Sequence, residues 1–409
     1  MSRPHLFRAR DNDEHAPVTY IELFFDLVFV FAITQLSHLL HDHLSLLGAL
    51  ESLIVFLALW WVWIFTSWVT NSVDPERANV RLMLIALMVG GLVLSSAVPG
   101  AFGASGLVFV LAYCLMQIGR SAYMVWACWG MPGGGARNFT RITLWFLAAA
   151  PLWIGGALLP VEYRIPLWAA ALAIEYTGPF VLFHTPFLGR SSFRDFDISG
   201  AHMAERCALF IIISLGEAVL VTGASFAELV QDQATWAAFL TSFAGSAAMW
   251  WIYFDIGAKR GSRMIASAGA AVGLIARNAY TYLHMPIVAG IVVTAVADQD
   301  MMADPARPAS AAYLATAIGG PFLFLFGNQM FKWATAEVRF PPLSHLIGLM
   351  LLTALGMAAW LGGWQQLTIG IAATAALIAT AGWEWLSLHG GWQRWAPWLG
   401  PLFSWIPRH

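Results

Sequence analysis

Apolar runs of membrane length alternate with short polar connections along the whole chain, and each run is about twenty residues long. The pattern predicts helices over 19–41, 46–69, 80–99, 106–128, 140–159 and 165–187, then over 203–225, 235–256, 275–297, 310–333, 343–362 and 366–388. The first run, Tyr20–Leu40, carries Glu22 and Asp26 in its opening turns. A spacing of four stacks both acids on one helix face, in line with Phe29, Ile33, Ser37 and Leu40. Ionisable groups in a membrane helix mark function by default, whereas acids in a first turn also serve as end caps. Both readings stay open for this pair.

The connections set the orientation. With the N-terminus in the cytoplasm, the inner segments collect sixteen Lys and Arg residues and the outer ones two, Arg164 and Arg307. That asymmetry places both termini in the cytoplasm. The polar N-terminal segment is followed by no short apolar core with a small-residue cleavage site, so no cleaved signal peptide is expected. The stretch Arg263–Ala297 exceeds one span, and Pro286 is expected to kink the ninth helix about two turns in.

The second half repeats features of the first in the same order. Glu205 falls on Glu22, Trp250–Trp251 on Trp60–Trp61, Arg277 on Arg81, Gln329 and Lys332 on Gln117 and Arg120, and His389 on His184. Asp26 aligns with Leu209 and Glu217 with Thr34, so the halves differ in their acids. Six helices per half, each half starting inside, gives parallel repeats related by an axis along the membrane normal. The expected fold is therefore an all-α polytopic membrane protein of about 12 transmembrane helices in two parallel six-helix repeats. Its parts are a cytoplasmic segment 1–18, repeats at 19–188 and 203–389, a cytoplasmic linker 189–202, and a Trp-rich interfacial tail 390–409.

Composition narrows the classes. The chain is 59% hydrophobic and 11% charged, against about a quarter charged in soluble domains. Its mean hydropathy is +0.68. A net charge of −2 argues against a nucleic-acid partner, which leaves the lipid bilayer and a small ion or solute. Cys114, Cys128 and Cys207 lie in or beside apolar runs without CxxC spacing and read as small apolar residues. No nucleotide-binding, metalloprotease or nucleophile-elbow motif occurs, and neither a cofactor nor a metal is expected. His38, His41 and His43, at the outer end of the first run, read as a titrating interfacial group more than a metal site.

Several polar residues fall inside the spans. Glu217 lies twelve residues beyond Glu205, past the midplane, and shares a face with Arg206. An unpaired carboxylate there is costly, so it must be protonated, paired or facing water. Glu175 lies near mid-depth in the sixth span, with His184 towards the cytoplasm. Arg277, Tyr280, Thr281 and His284 form a polar stripe on the ninth, suited to a cavity lining or to a seam between packed helices. Arg120 and Lys332 are expected to pair with Glu22, Asp26 and Glu205 as charge clamps, and Arg81 joins the same network.

The motifs ELFFDLVFVFAITQLSH at Glu22–His38, WWVW at 60–63, ERCALFIIISLGE at 205–217 and RNAYTYLHMPIVAGI at 277–291 together resemble the bacterial low temperature requirement protein A (LtrA) family. The likeness covers nearly the whole chain. It implies a multi-pass plasma-membrane protein linked by name to growth in the cold, and it brings no established molecular activity. Two positions depart from the family pattern. Cys207–Ala208 stands where an aromatic–glycine pair is usual, and Asn278 where an acid usually follows the arginine. More distantly, FFDLVFVFAITQL is similar to the opening helix of two-repeat potassium channels, with Phe25 in place of their serine.

The leading expectation is proton- or cation-linked transport of a small solute between the halves. Glu22, Asp26, Glu217, Arg277 and His284 would be its ion-handling residues. A cation channel, a lipid-handling membrane enzyme and a non-transporting stress scaffold remain as alternatives.

Overall fold

The computed structural model describes residues 6–8, 17–131, 134–191, 199–230, 232–257, 264–265, 272–335 and 341–388. The Trp-rich tail, His389 and residues 192–198 of the 189–202 linker lie outside them. Twelve long α-helices follow one another among the described residues. In the first half they are α1 (Tyr20–Asp42), α2 (Leu46–Ser72), α3 (Ala78–Ala97), α4 (Gly106–Cys128), α5 (Gly135–Leu158) and α6 (Arg164–Thr177). The second half holds α7 (Gly200–Glu228), α8 (Gln233–Ile252), α9 (His284–Ala303), α10 (Ala311–Ala334), α11 (Leu343–Gly362) and α12 (Gln366–Leu388). Several start at side-chain caps, where Ser45, Ser199, Asp232 and Ser310 each accept from a backbone N–H of the first turn. Among the described residues eleven helical segments are long and apolar enough to cross a membrane.

The exception is α6, and it corrects the expected span 165–187. The helix stops at Thr177 after 14 residues, about 21 Å at 1.5 Å per residue. Gly178 and Pro179 follow, and proline lacks the N–H the next turn requires. The chain then turns back on itself, with Leu182, Phe183 and Phe187 in left-handed backbone. His184 sits in this turn rather than on a helix.

The ninth span differs as well. A single α-turn, Val272–Ile275, leads into a π-helical segment, Ala276–Tyr282, before α9 begins. The irregularity therefore precedes Pro286, which lies in the first turn of α9, where its missing N–H costs nothing. One residue of the wider winding, Thr281, is held by the other half. Trp60 Nε1 donates to Thr281 O at 2.9 Å, and Trp68 Nε1 to the Thr281 hydroxyl at 3.0 Å. A second π-helical turn, Tyr253–Gly257, ends α8.

In the first half α1 packs on α2 and α3, α3 on α4, α4 on α5, α5 on α6, and α6 on α2. In the second, α7 packs on α8 and α9, α9 on α10, α10 on α11, α11 on α12, and α12 on α8. The halves meet where α1 touches α7 and α9, and where α2 touches α7. The closest helix pair is α9 with α10. A Cβ on Gly290 would stand 2.4 Å from Phe324 N, and one on Gly320 would stand 2.6 Å from Thr294 N. Only glycine permits backbones to approach this closely.

Candidate functional site

The α1–α7 seam opens on a group of enclosed charges. Both acids of α1 point inward and are fully buried, as are His202 and Arg206 of α7. Arg206 bridges the pair, with Nη2 donating to Asp26 Oδ1 at 2.7 Å and Nη1 standing 3.2 Å from Glu22 Oε1. Trp63 of α2 donates Nε1–H to the same Asp26 oxygen at 2.8 Å, and its ring lies beneath the Arg206 guanidinium. Glu22 also accepts from the Thr19 backbone and hydroxyl, both at 2.9 Å, closing a capping box, and from Arg8 Nη2 at 3.0 Å. It is thus both a cap and a charge partner.

The protonation of His202 follows from its neighbour. Asn71 of α2 exchanges two bonds with Ser199: its Oδ1 accepts from Ser199 N at 2.9 Å, and its Nδ2 donates to Ser199 O at 2.8 Å. That fixes the amide orientation, so Nδ2, a donor only, faces His202 Nδ1 at 3.2 Å. Nδ1 must accept, and the ring proton sits on Nε2, directed at Glu22 Oε1 3.0 Å away. Two positive and two negative side chains then balance around a neutral imidazole.

This balance leaves bonding capacity unused. Asp26 Oδ2 and two Arg206 nitrogens, Nε and Nη1, are enclosed and make no hydrogen bond among the described residues, Nη1 meeting Glu22 as an ion pair alone. One turn beyond Arg206, Phe210 packs against Trp60 and Trp63 with ring centroids at 5.7 and 4.2 Å. Two turns further, Glu217 is buried against α1, within reach of the Thr34 hydroxyl and close to His38. The seam therefore carries a charged group at one end and a carboxyl group about 17 Å along, at 1.5 Å per residue, with an aromatic stack between.

The other anticipated residues lie elsewhere. Arg120 does not pair with the α1 acids, because α4 lies behind α2 and holds the guanidinium to Val62 O at 3.1 Å and the Thr66 hydroxyl at 3.0 Å. Through Gln117 and Tyr113 it is linked to Glu175, which also accepts from Trp153 Nε1 at 2.9 Å. Lys332 pairs with Glu384 at 2.6 Å and donates to Ile252 O at 2.8 Å. The charge-clamp expectation is corrected in both cases: Arg206 and Arg8 partner the α1 acids. Glu205 accepts from Val18 N at 3.3 Å, and Arg81 pairs with Glu76 near the surface. Arg277 donates to Pro179 O at 3.0 Å, and its guanidinium lies over Phe180. His284 accepts from Tyr253 OH at 2.8 Å, faces Ala279 O at 2.9 Å and stacks on Tyr280. This packed aromatic group borders the seam, since Cys207 Sγ of α7 lies 3.8 Å from Tyr280 O, but it joins neither of the α1 acids. His184 lends its carbonyl to Trp145. Among the described residues no three His, Cys, Asp or Glu side chains gather as a metal site.

Residues 17–382, containing every charged residue of the seam except Arg8, match the family model described as bacterial low temperature requirement A protein (LtrA). The chain belongs to the LtrA family. An uncharacterized protein of Rhizobium meliloti (strain 1021) is 40% identical over 346 residues, 84% of each chain. No solved structure matches. Family membership and eleven apolar spans together make this LtrA chain a multi-pass membrane protein.

Four members of the cluster escaped the sequence reading. Arg8 sits in a polar segment with no periodicity, and His202 reads as a linker residue. Trp63 belongs to a Trp-rich run with no mark to separate it from its neighbours. Asn71 gave one usable signal, as an amide at the end of a largely apolar LtrA helix.

Proposed function

We propose that this chain is a plasma-membrane transporter that moves protons, or a small cation or solute coupled to them, along the α1–α7 seam between two six-helix repeats. One observation carries the reading: an arginine from one half binds an aspartate from the other in the apolar interior, and each keeps an unused polar atom. An under-satisfied buried ion pair is a costly arrangement for a mere support, and its leftover donor and acceptor suit a transiting water or proton. Asp26 and Glu217 are then the two exchange stations, with the Phe210 stack as the closed gate between them. Glu22, with all its partners present, holds the helix ends.

The duplicated architecture is supported by three features. The packing order of the helices is the same in both halves. Arg120 and Lys332 donate to Val62 O and Ile252 O, carbonyls separated by the same 190 positions that relate Trp60 to Trp250. Glu217 lies against Thr34, its own counterpart, as residues flanking a two-fold axis do. The basic connections support cytoplasmic termini, and therefore a mouth at Glu22 that faces the cytoplasm.

Purified protein in proteoliposomes, with an internal pH dye and an imposed potential, tests the reading. Wild type is expected to pass protons, and Glu217→Gln and Asp26→Asn to stop them. Flux that is absent, or indifferent to both substitutions, overturns it.

A further inference from the structure

We propose that residues Leu6–Arg8 form a latch over the end of the seam where α1 and α7 begin, and that its release governs passage; this rests on the transport reading above. The three residues cross the C-terminus of α2. Arg8 N donates to Ser72 O at 3.1 Å, Asp74 N to Leu6 O at 2.8 Å, and Phe7 stands opposite Val73 in an antiparallel bridge. The last carbonyls of a helix have no partners within it, and here Arg8 Nε supplies them, reaching Thr70 O at 3.0 Å and Val73 O at 3.2 Å. Leu6 anchors the segment in the core, and the Arg8 guanidinium enters the charge cluster at Glu22.

Two details mark Arg8 as the removable counter-ion. When it leaves, Glu22 keeps Thr19, His202 and Arg206, so no acid is stranded. Besides Glu22 and the backbone carbonyls of Pro17, Thr70 and Val73, its guanidinium meets His202, and that contact contributes nothing: Nη2 lies 3.1 Å from Nε2, which already turns its proton towards Glu22. Donor faces donor there, so Arg8 is held less firmly than its neighbours suggest. Arg206 differs on both counts, since α7 fixes it and Asp26 depends on it. Glu22, Arg8, Arg206 and Asn71 together surround the His202 ring from α1, the latch, α7 and α2.

Val73, fully buried beneath Phe7, is the reporter. In nanodiscs, a water-soluble maleimide should label Val73→Cys slowly, against the low background of three buried native cysteines. Adding Arg8→Ala and Leu6→Asn should speed labelling about tenfold, as expected when a charge-assisted contact that closes a local opening is lost. In proteoliposomes, a Phe7→Cys/Val73→Cys disulfide should lower proton flux about tenfold, and reductant should restore it. Labelling unchanged by the two substitutions overturns the latch. Flux equal in the locked and reduced forms overturns its control of passage and leaves the transport reading standing. A silent wild type removes the transport reading, and gating with it.

Discussion

Replacing Arg206 with methionine tests how the seam is held together. The side chain is fully enclosed and contacts two carboxylates, one of which, Asp26, has among the described residues only Trp63 as its other donor. Truncation leaves two negative groups against one positive, Arg8, and of the two acids Arg8 reaches Glu22 and not Asp26. Removing one partner of a buried pair costs about 3–5 kcal/mol, since the other is left uncompensated. Asp26→Leu should cost a similar amount by stranding Arg206 with a single shared acid. The double variant restores neutrality, with Arg8 against Glu22, and fills the space with apolar side chains. Its cost should fall below the sum of the two singles by at least about 2 kcal/mol, within the range of coupling energies between contacting residues. Unfolding in mixed micelles, followed by tryptophan fluorescence, gives all four corners of the cycle. Additivity within about 0.5 kcal/mol would falsify the claim that this pair joins the halves.

Three further outcomes follow from the packing. Trp63→Phe keeps the aromatic stack but removes the indole donor to Asp26, and should cost about 1–2 kcal/mol in the same unfolding assay, near the upper end for hydrogen bonds between membrane helices. Gly290→Ala forces α9 from α10 and should destabilise by about 1–3 kcal/mol, while Gly319→Ala, with open space around it, should be neutral or stabilising; equal effects would refute the close approach. Asp232, at the N-cap of α8, accepts from Thr235 N at 2.8 Å, and that bond holds its carboxyl below the ordinary aspartate range. Its stabilising contribution is present above that range and fades as pH falls through the lowered value, so the melting temperatures of wild type and Asp232→Ala should converge in acid and separate at neutral pH.

Helix number and family were legible because both depend on long apolar periodicity, which a bilayer imposes directly. The α1 acids were legible for the same reason, as charges written into an apolar face. Their partners were not. Arg120 and Lys332 looked suitable by depth alone, but depth does not say which helices are neighbours, and α4 and α10 are set behind other helices. Hydropathy also ran on through Gly178–Pro179, hiding the end of α6, because Phe180–Phe183 is as apolar as the helix before it. Pro286 drew the expected kink towards itself, whereas the distortion lies in the wider winding of Ala276–Tyr282 that the proline merely follows. The tautomer of His202 needed the Asn71–Ser199 pairing across 128 residues, which no local pattern encodes.

The Asp26–Arg206 bond spans 180 residues of chain, and this bears on how the protein is made. At about 5–20 residues per second, a ribosome takes roughly 10–35 seconds to reach Arg206 after completing Asp26. Glu22 is born with Arg8 already synthesised, but Asp26 meets nothing until Trp63 emerges, and then only an indole. For that interval Asp26 lacks its charge partner, which weakens the preference of the opening helix for lipid without removing it, since the helix is long and apolar enough to cross. A chain truncated before Arg206 should therefore leave its first helix more exposed to quality-control proteolysis than its apolar neighbours.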